Sequence, residues 1–290
     1  MLVLFLVRKE YHHLCSAVMC NLVNQFWLRS MNKITVKTMT GVELPLSKEL
    51  GTGDRIVFKQ FGCSEIGPLH KTRQLPNQDA FCHHTYPWGE LIALSDGLGS
   101  HALSQLGSQA ACGAALRLLE QWHQLPELSV TERLTLFHQN WLENLAEQDI
   151  TQCGCTILMV LRLDTTLFWA QLGDGLSVLY RRDSDQPECL TASSELFSNQ
   201  TYALKANFSL TQWQTDSFDV QECRGVFLCS DGIADDLEQQ SAFFKQLYTQ
   251  YRHLPELKII ADMQQWLQHW PVPGHSDDKT LVAMIVKDAL

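Results

Sequence analysis

Three apolar segments each end in an aspartate followed by glycine, and this repeated ending constrains the fold more than any other feature of the sequence. The segments are Leu91–Gly99, Leu167–Gly175 and Gly225–Gly232. An apolar run that stops at a tight turn is typical of a buried strand. A single Asp-Gly pair would indicate only a turn. Three of them, with Asp277-Asp278 just before the apolar run Leu281–Val286, predict carboxylates gathered at strand ends, where oxygen ligands suit Mg²⁺ and Mn²⁺.

The composition is that of a globular chain with a substantial core. Of 290 residues, 45% are hydrophobic and 19% are charged, which allows one large domain or two small ones. The net charge of −10 argues against a nucleic-acid partner, and no stretch is long and apolar enough to predict a membrane-spanning helix. The ten cysteines follow no disulfide spacing, which favours reduced thiols and a cytoplasmic location.

The first 30 residues differ in character from the rest of the chain. The short apolar run Leu2–Val7 has no preceding positive charge and no evident cleavage site, so the pattern does not favour a signal peptide. We expect Met31 to be the natural start and residues 1–30 to be an extension, and a docking helix is the alternative. We therefore divide the chain into an N-terminal extension, residues 1–42, and one domain, residues 43–290.

Hydrophobic periodicity predicts strands, two helices, further strands, two more helices and a closing strand. A loop is predicted through Gly67 and Pro76, and a polar, weakly periodic flap at residues 183–222. Ser129 and Glu132 have the spacing of a capping box. This order predicts an α+β architecture in which helices cover antiparallel sheets. The predicted strands are Arg55–Phe61, Ala80–Cys82, Leu91–Ser95, Cys155–Leu163, Leu167–Leu172, Leu176–Arg181, Val226–Cys229 and Leu281–Val286, and the predicted helices are Gln105–Gln121, Thr131–Gln148, Ser241–Gln250 and Ile259–His269.

Six short motifs resemble, in the same order, those of the metal-dependent protein serine/threonine phosphatases, the type 2C or PPM family. Any one of them is a weak signal, but six in order across roughly residues 55–286 are highly specific. The resemblance implies a central antiparallel β-sandwich flanked by helix pairs, a four-layer αββα arrangement. The first motif and Ser100 resemble a divergent bacterial branch most. The motifs are Asn77-Gln78-Asp79-Ala80, Ser95-Asp96-Gly97-Leu98-Gly99-Ser100-His101, Gly154-Cys155-Thr156, Gly173-Asp174-Gly175, Cys229-Ser230-Asp231-Gly232 and Asp277-Asp278-Lys279-Thr280.

The same resemblance implies a site that holds two or three Mn²⁺ or Mg²⁺ ions. By this resemblance Asp96 bridges two ions, Asp174 binds an additional, weaker one, and Asp79 acts through metal-bound water. The remaining implied ligands are the Gly97 carbonyl oxygen and the carboxylates of Asp231 and Asp277.

Two cations roughly 3.5–4 Å apart can lower the pKa of a bridging water and clamp the phosphoryl oxygens. That water then attacks phosphorus in line, and the seryl or threonyl oxygen leaves. The family's phosphate-binding arginine precedes its first motif. Arg73 is the nearest candidate, although its distance from the first motif is one residue longer than in the family. Lys71 is the alternative.

The sequence departs from the family pattern at several positions. Gln78 replaces a common Glu, Gly175-Leu176 replaces Ser-Arg, and Asp278 replaces Asn. Leu98 stands where many eukaryotic members have a histidine proposed as general acid, so the leaving group must take its proton from water or elsewhere. His101 fits either a structural or a catalytic histidine.

The resemblance implies hydrolysis of phosphoserine and phosphothreonine on proteins that a partner serine/threonine kinase phosphorylates. We expect a cytoplasmic monomer without nucleic-acid or membrane partners. The alternatives are an inactive, phosphatase-like binding module and a metallohydrolase of small phosphate esters. The retained Asp96, Asp231 and Asp277 argue against the inactive module.

Overall fold

Two antiparallel sheets of five strands each dominate the computed structural model, which describes residues 56–190, 202–207 and 209–287. The predicted extension at residues 1–42, the start at Met31, the docking-helix alternative and the domain boundary at residue 43 lie outside the described residues. The helices in chain order are α1 (Pro68–Arg73), α2 (Ser104–Gln124), α3 (Val130–Asn144), α4 (Asp231–Ala234), α5 (Gln240–Tyr251) and α6 (Glu256–Gln268). The strands are β1 (Phe58–Glu65), β2 (Ala80–Thr85), β3 (Gly89–Ser95), β4 (Ile157–Leu163), β5 (Thr166–Leu172), β6 (Leu176–Arg181), β7 (Glu188–Cys189), β8 (Gln214–Asp219), β9 (Cys223–Cys229) and β10 (Lys279–Val286).

The two sheets pack face to face. The first has the strand order β1-β10-β9-β6-β7 and the second has the order β2-β3-β4-β5-β8. Ile92 and Leu158 of the second sheet share one buried cluster with Val226 and Val282 of the first. Every residue of β3 and of β4 is buried, because these strands are covered on both faces. This explains why they appear in the sequence as continuous apolar runs.

Helix pairs cover the outer faces of the sandwich. Ala111 of α2 and Trp141 of α3 pack with Phe168 of the second sheet. Phe244 of α5 and Met263 of α6 belong to the buried cluster of the first sheet. The predicted four-layer αββα arrangement is therefore confirmed.

Local signals predicted several boundaries well. β4 and β5 form the predicted hairpin, and β6 has the predicted bounds. The capping box is present, because the Glu132 backbone N–H donates to Ser129 Oγ at 3.3 Å and the Ser129 N–H donates to the Glu132 carboxylate at 2.7 Å. The helix that follows ends at Asn144 rather than at the predicted Gln148, since the chain turns there and the Gln148 N–H bonds the Leu145 carbonyl at 2.8 Å.

Both predicted loops contain regular structure, so that part of the prediction was wrong. The segment between Gly67 and Pro76 includes α1, which begins at Pro68, a residue that suits the first turn of a helix because it needs no N–H partner there. The flap at residues 183–222 includes β7 and β8, and β8 pairs with β5 along the edge of the second sheet. An edge strand with exposed faces stays polar, which hides it from a hydrophobicity pattern.

The cysteines in the described part of the chain form no disulfide. Burial raises the pKa of Cys155 and of Cys223 to about 12, so these thiols stay protonated at neutral pH. No helix among the described residues is long and apolar enough to cross a membrane.

Candidate active site

Four aspartates from both sheets meet at one end of the sandwich. Asp79 precedes β2 and Asp96 follows β3 in the second sheet, whereas Asp231 follows β9 and Asp277 precedes β10 in the first. A cavity of about 250 Å³ opens there, and Asp96, Asp231 and Asp277 line it. Asp79 is buried beside Asp96, and its charge raises the pKa of the Asp96 carboxyl group. The structure therefore brings together the carboxylates that the sequence placed at strand ends.

Hydrogen bonds with Gly154 and Thr156, which follow α3 in the chain, hold the backbone at Asp96 and in the next turn. The Asp96 N–H donates to Thr156 Oγ1 at 2.9 Å, and the Thr156 N–H donates to the Asp96 carbonyl at 2.7 Å. The next turn is fixed as well, because the Leu98 N–H donates to the Gly154 carbonyl at 2.9 Å. Thr156 therefore does more than fill the core, as it fixes the chain from which the Asp96 carboxylate projects.

Asp79 is connected to the first sheet through a serine hydroxyl. Ser230 Oγ donates to Asp79 Oδ2 at 2.9 Å and accepts the Thr280 N–H at 3.0 Å. Because Ser230 precedes Asp231, one residue ties the Asp79 carboxylate to the chain that carries a second carboxylate of the site.

The cluster is strongly electronegative. Burial, the largest cause, raises the pKa of Asp79 to about 7 and that of Asp231 to about 6. Burial also raises the pKa of Asp96 well above its usual range, with the charges of Asp79 and Asp231 as the next causes. Carboxylates packed in this way must be neutralised by protons or by cations.

The donor atoms fit divalent cations. Asp79 Oδ1 and Asp231 Oδ1 are buried and have no hydrogen-bonding N–H or O–H group among the described residues. Asp96 lies beside both carboxylates and can share a hydrogen bond with them only when one of the group is protonated. An all-oxygen, acidic set of this kind suits Mg²⁺ or Mn²⁺.

Asp174 occupies a turn of its own on the same cavity. Gly173 and Gly175 flank it with φ values of +96° and +101°, a conformation that side-chain-bearing residues rarely adopt. Asp174 is exposed, and its charge is one of the causes that raise the pKa of Asp235.

The structure places the two candidate phosphate-binding residues differently. Arg73 is the last residue of α1, is exposed and lines the cavity with the aspartates. Lys71 does not line it and pairs with Glu65 at 2.5 Å. Leu98 also lines the cavity. His101 does not line it, and its ring nitrogen Nδ1 lies 3.1 Å from Ser100 Oγ.

Sequence reasoning missed a buried pair next to this site. Asp278 is 1% exposed, and its carboxylate accepts a hydrogen bond from His70 Nδ1 at 2.9 Å. The only signal was that Asp278 replaces the family's asparagine. His70, Asp277 and Asp278 also place ligand atoms within 4.8 Å of one another, but both oxygens of Asp278 already accept hydrogen bonds from the protein.

Comparison with known proteins gives a consistent picture. A family model described as Protein phosphatase 2C matches residues 66–270. No curated protein gives a significant match.

Several solved structures share the fold at low sequence identity. The Mycobacterium tuberculosis serine/threonine phosphatase PstP/Ppp has a TM-score of 0.58 and 19% identity, over 81% of this chain and 100% of that chain. PppA of Pseudomonas aeruginosa, described as a key regulatory component of T6SS, has a TM-score of 0.57 and 17% identity, over 79% and 97%. The PstP catalytic domain in complex with two manganese ions has a TM-score of 0.55 and 18% identity, over 81% and 100%.

Proposed function

The chain belongs to the protein phosphatase 2C family, and from this membership we propose that it hydrolyses phosphoserine and phosphothreonine on proteins with divalent cations. The observation that carries the proposal is one cavity that Arg73, Asp96, Asp231 and Asp277 line together. A phosphate monoester carries the negative charge that an arginine and bound cations together neutralise. The fold supports metal-dependent phosphatase activity, and the residues at this cavity support the more specific reaction.

We assign the cation ligands as the sequence predicted them. Asp96, Asp231, Asp277 and the Gly97 carbonyl would hold two ions of Mn²⁺ or Mg²⁺, and Asp174 would hold a third, weaker one. When bound, such ions lower the pKa of a water molecule and neutralise charge on the phosphoryl oxygens. The PstP structure described with two manganese ions supports this assignment by its shared fold.

The protein's own groups then have distinct tasks. Arg73 would pair with phosphoryl oxygens, which a planar guanidinium contacts in bidentate fashion. The hydrogen bond from Ser230 fixes Asp79 beside Asp96. Leu98 has no proton to give at the cavity, so the leaving oxygen would take its proton from water or from another group.

The rim of the cavity favours a protein substrate over a small ester. Leu69 and Leu75 line the cavity and are 38% and 40% exposed. Apolar side chains beside a phosphate site would contact the residues that flank a phosphorylated serine or threonine, whereas a small ester would leave them in water. We further propose that a partner serine/threonine kinase supplies the substrate, and that the protein acts as a cytoplasmic monomer.

The test is phosphate release by the full chain from phosphoserine and phosphothreonine peptides, with Mn²⁺, with Mg²⁺ and with chelator. p-Nitrophenyl phosphate serves as the small ester. We expect metal-dependent release with a higher kcat/KM for peptides. A higher value for the small ester would favour the metallohydrolase alternative, and metal-loaded protein that binds phosphopeptide without release would favour the inactive module.

Replacing Arg73 by alanine is expected to lower kcat/KM for a phosphopeptide about 10–100-fold, since a hydrogen bond to a charged group contributes about 1.5–3 kcal/mol. Lys71→Ala is the matched control on the same helix. Because Lys71 pairs with Glu65 away from the cavity, we expect its kcat/KM within about twofold of wild type, as is usual for an exposed ion pair. The reverse ranking of the two variants would assign phosphate binding to Lys71.

Asp174→Asn is expected to lower turnover about 10-fold while the two tighter ions still bind. Asp174 lies in its own turn at an exposed position, so its loss should not disturb Asp96. Calorimetric Mn²⁺ titration alongside turnover checks this, with the exposed Asp185→Asn as control. Loss of all Mn²⁺ binding would contradict the outer position of Asp174.

A further inference from the structure

One buried carboxylate bonds to both ends of the segment that carries Arg73. Asp278 Oδ1 accepts the Gly67 N–H at 2.7 Å, just before α1. Asp278 Oδ2 accepts the Gln78 N–H at 2.7 Å, five residues after the last residue of α1, and also the His70 Nδ1–H at 2.9 Å. Segment 67–78, which contains α1 and Arg73, is therefore closed into a loop around the Asp278 side chain.

The N-terminal end of segment 67–78 also lies against residues 276–277, the short stretch before β10 that carries Asp277 of the site. The Leu69 N–H donates to the Ser276 carbonyl at 3.1 Å. A Cβ atom at Gly67 would lie 2.4 Å from that same oxygen and from the carbonyl carbon of Asp277, so only glycine fits there. The Arg73 segment is thus packed against the residue we assign as a cation ligand.

The other end of α1 is set by a sharp change of direction. Gln74 has φ of +57°, and the Leu75 N–H returns to the His70 carbonyl at 2.9 Å. A helix of six residues is too short to be stable without tertiary contacts. The position of Arg73, the last residue of α1, therefore depends on the groups that hold segment 67–78. Among these groups, Asp278 accepts three hydrogen bonds from the segment.

We propose that Asp278 and His70 are positioning residues that hold Arg73 at the cavity for the substrate phosphate. This inference rests on the proposed function, in which Arg73 binds phosphate. Asp278 has two acceptor oxygens for three donors, and an asparagine would turn an NH₂ group toward one of them. His70 completes the arrangement from within α1, three residues before Arg73.

The test is a double-mutant cycle between Asp278→Asn and Arg73→Ala in the full chain, measured in two ways. The first readout is kcat/KM for a phosphopeptide with Mn²⁺. The second is the calorimetric Kd for inorganic phosphate with Mg²⁺, which needs no turnover. We expect Asp278→Asn to weaken both about 10-fold in the wild-type background and to have almost no effect once Arg73 is alanine. If each substitution lowered kcat/KM and phosphate affinity by its own factor, and the two factors multiplied in the double variant, the proposal would be overturned.

His70 supplies a second pair of variants in case Asp278→Asn folds poorly. His70→Asn keeps an N–H donor near the position of Nδ1 and should retain most phosphate affinity, whereas His70→Leu should lose about as much as Asp278→Asn. Amide hydrogen exchange should quicken at Gly67 and Gln78 in the Asp278 and Leu variants. Equal phosphate affinity in His70→Leu and wild type would contradict the role of His70.

Two further results separate this inference from the proposed function. A wild-type protein that binds phosphate through Arg73, shows the coupling and releases no phosphate from peptides would refute the activity and keep the positioning role. Wild-type and Arg73→Ala proteins with equal phosphate Kd would overturn the positioning role. The affinity for Mg²⁺ should stay within about twofold of wild type in Asp278→Asn, and a larger loss would mean that the variant acts through Asp277 instead.

Discussion

Asp96→Asn is expected to lower metal-dependent turnover about 10³-fold or more. The negative charges of Asp79 and Asp231 both raise the pKa of the Asp96 carboxyl group. A hydrogen bond to Thr156 fixes the backbone of Asp96. In the assignment proposed above Asp96 would hold both cations, so its replacement by a neutral amide would weaken both together. Cations supply several kcal/mol of stabilisation for charge that develops in the transition state, and each 1.36 kcal/mol is tenfold in rate.

Asp79→Asn is the matched comparison. Its carboxylate is buried beside Asp96 and does not line the cavity, so we expect the 10–100-fold loss that is usual for groups one step removed from a metal. Both variants are checked for folding by circular dichroism and then compared for bound manganese and phosphopeptide turnover. A folded Asp96→Asn protein with nearly wild-type turnover would refute the cation-dependent mechanism and the phosphatase proposal with it.

The sequence located the carboxylates because their signal is local. Each of Asp96, Asp174 and Asp231 follows an apolar strand and precedes glycine, so strand ends and turns can be identified from neighbours alone. A sandwich that brings these strand ends together then places the carboxylates in one site. The six motifs in family order strengthened the same prediction.

The remaining features depend on contacts between distant residues. Gly67 and Pro68 resemble a turn in sequence, and α1 exists because Asp278, more than 200 positions away, accepts hydrogen bonds around it. The choice between Arg73 and Lys71 was open for the same reason, since which side of α1 faces the cavity follows from that packing. The hydrophobic pattern did not predict β8, because an edge strand needs no alternation of apolar residues.

The acidity of the cluster also makes folding stability depend on pH in an unusual direction. Burial raises the pKa of Asp79 to about 7 and that of Asp231 to about 6 in the folded chain, against an ordinary aspartate pKa of 3.8. Between these values the folded state binds more protons than the unfolded state, so the free energy of unfolding falls as pH rises. This contribution is complete below about pH 4 and is lost as pH passes 6 to 7.

We therefore expect the Tm of the chelated protein to lose this contribution as pH rises from about 4 to about 7, and we expect manganese to restore the lost stability. Cations replace the protons, and at 100 times their Kd they stabilise the folded state by about 2.7 kcal/mol. The measurement is Tm against pH in chelator and in Mn²⁺, for wild type and for Asp79→Asn. Because Asp79→Asn removes one raised group, the difference between the two chelated curves isolates that group from the histidines. If the wild-type Tm did not fall relative to Asp79→Asn as pH rose through 6 to 7, the cluster would not be the electronegative site that binds cations.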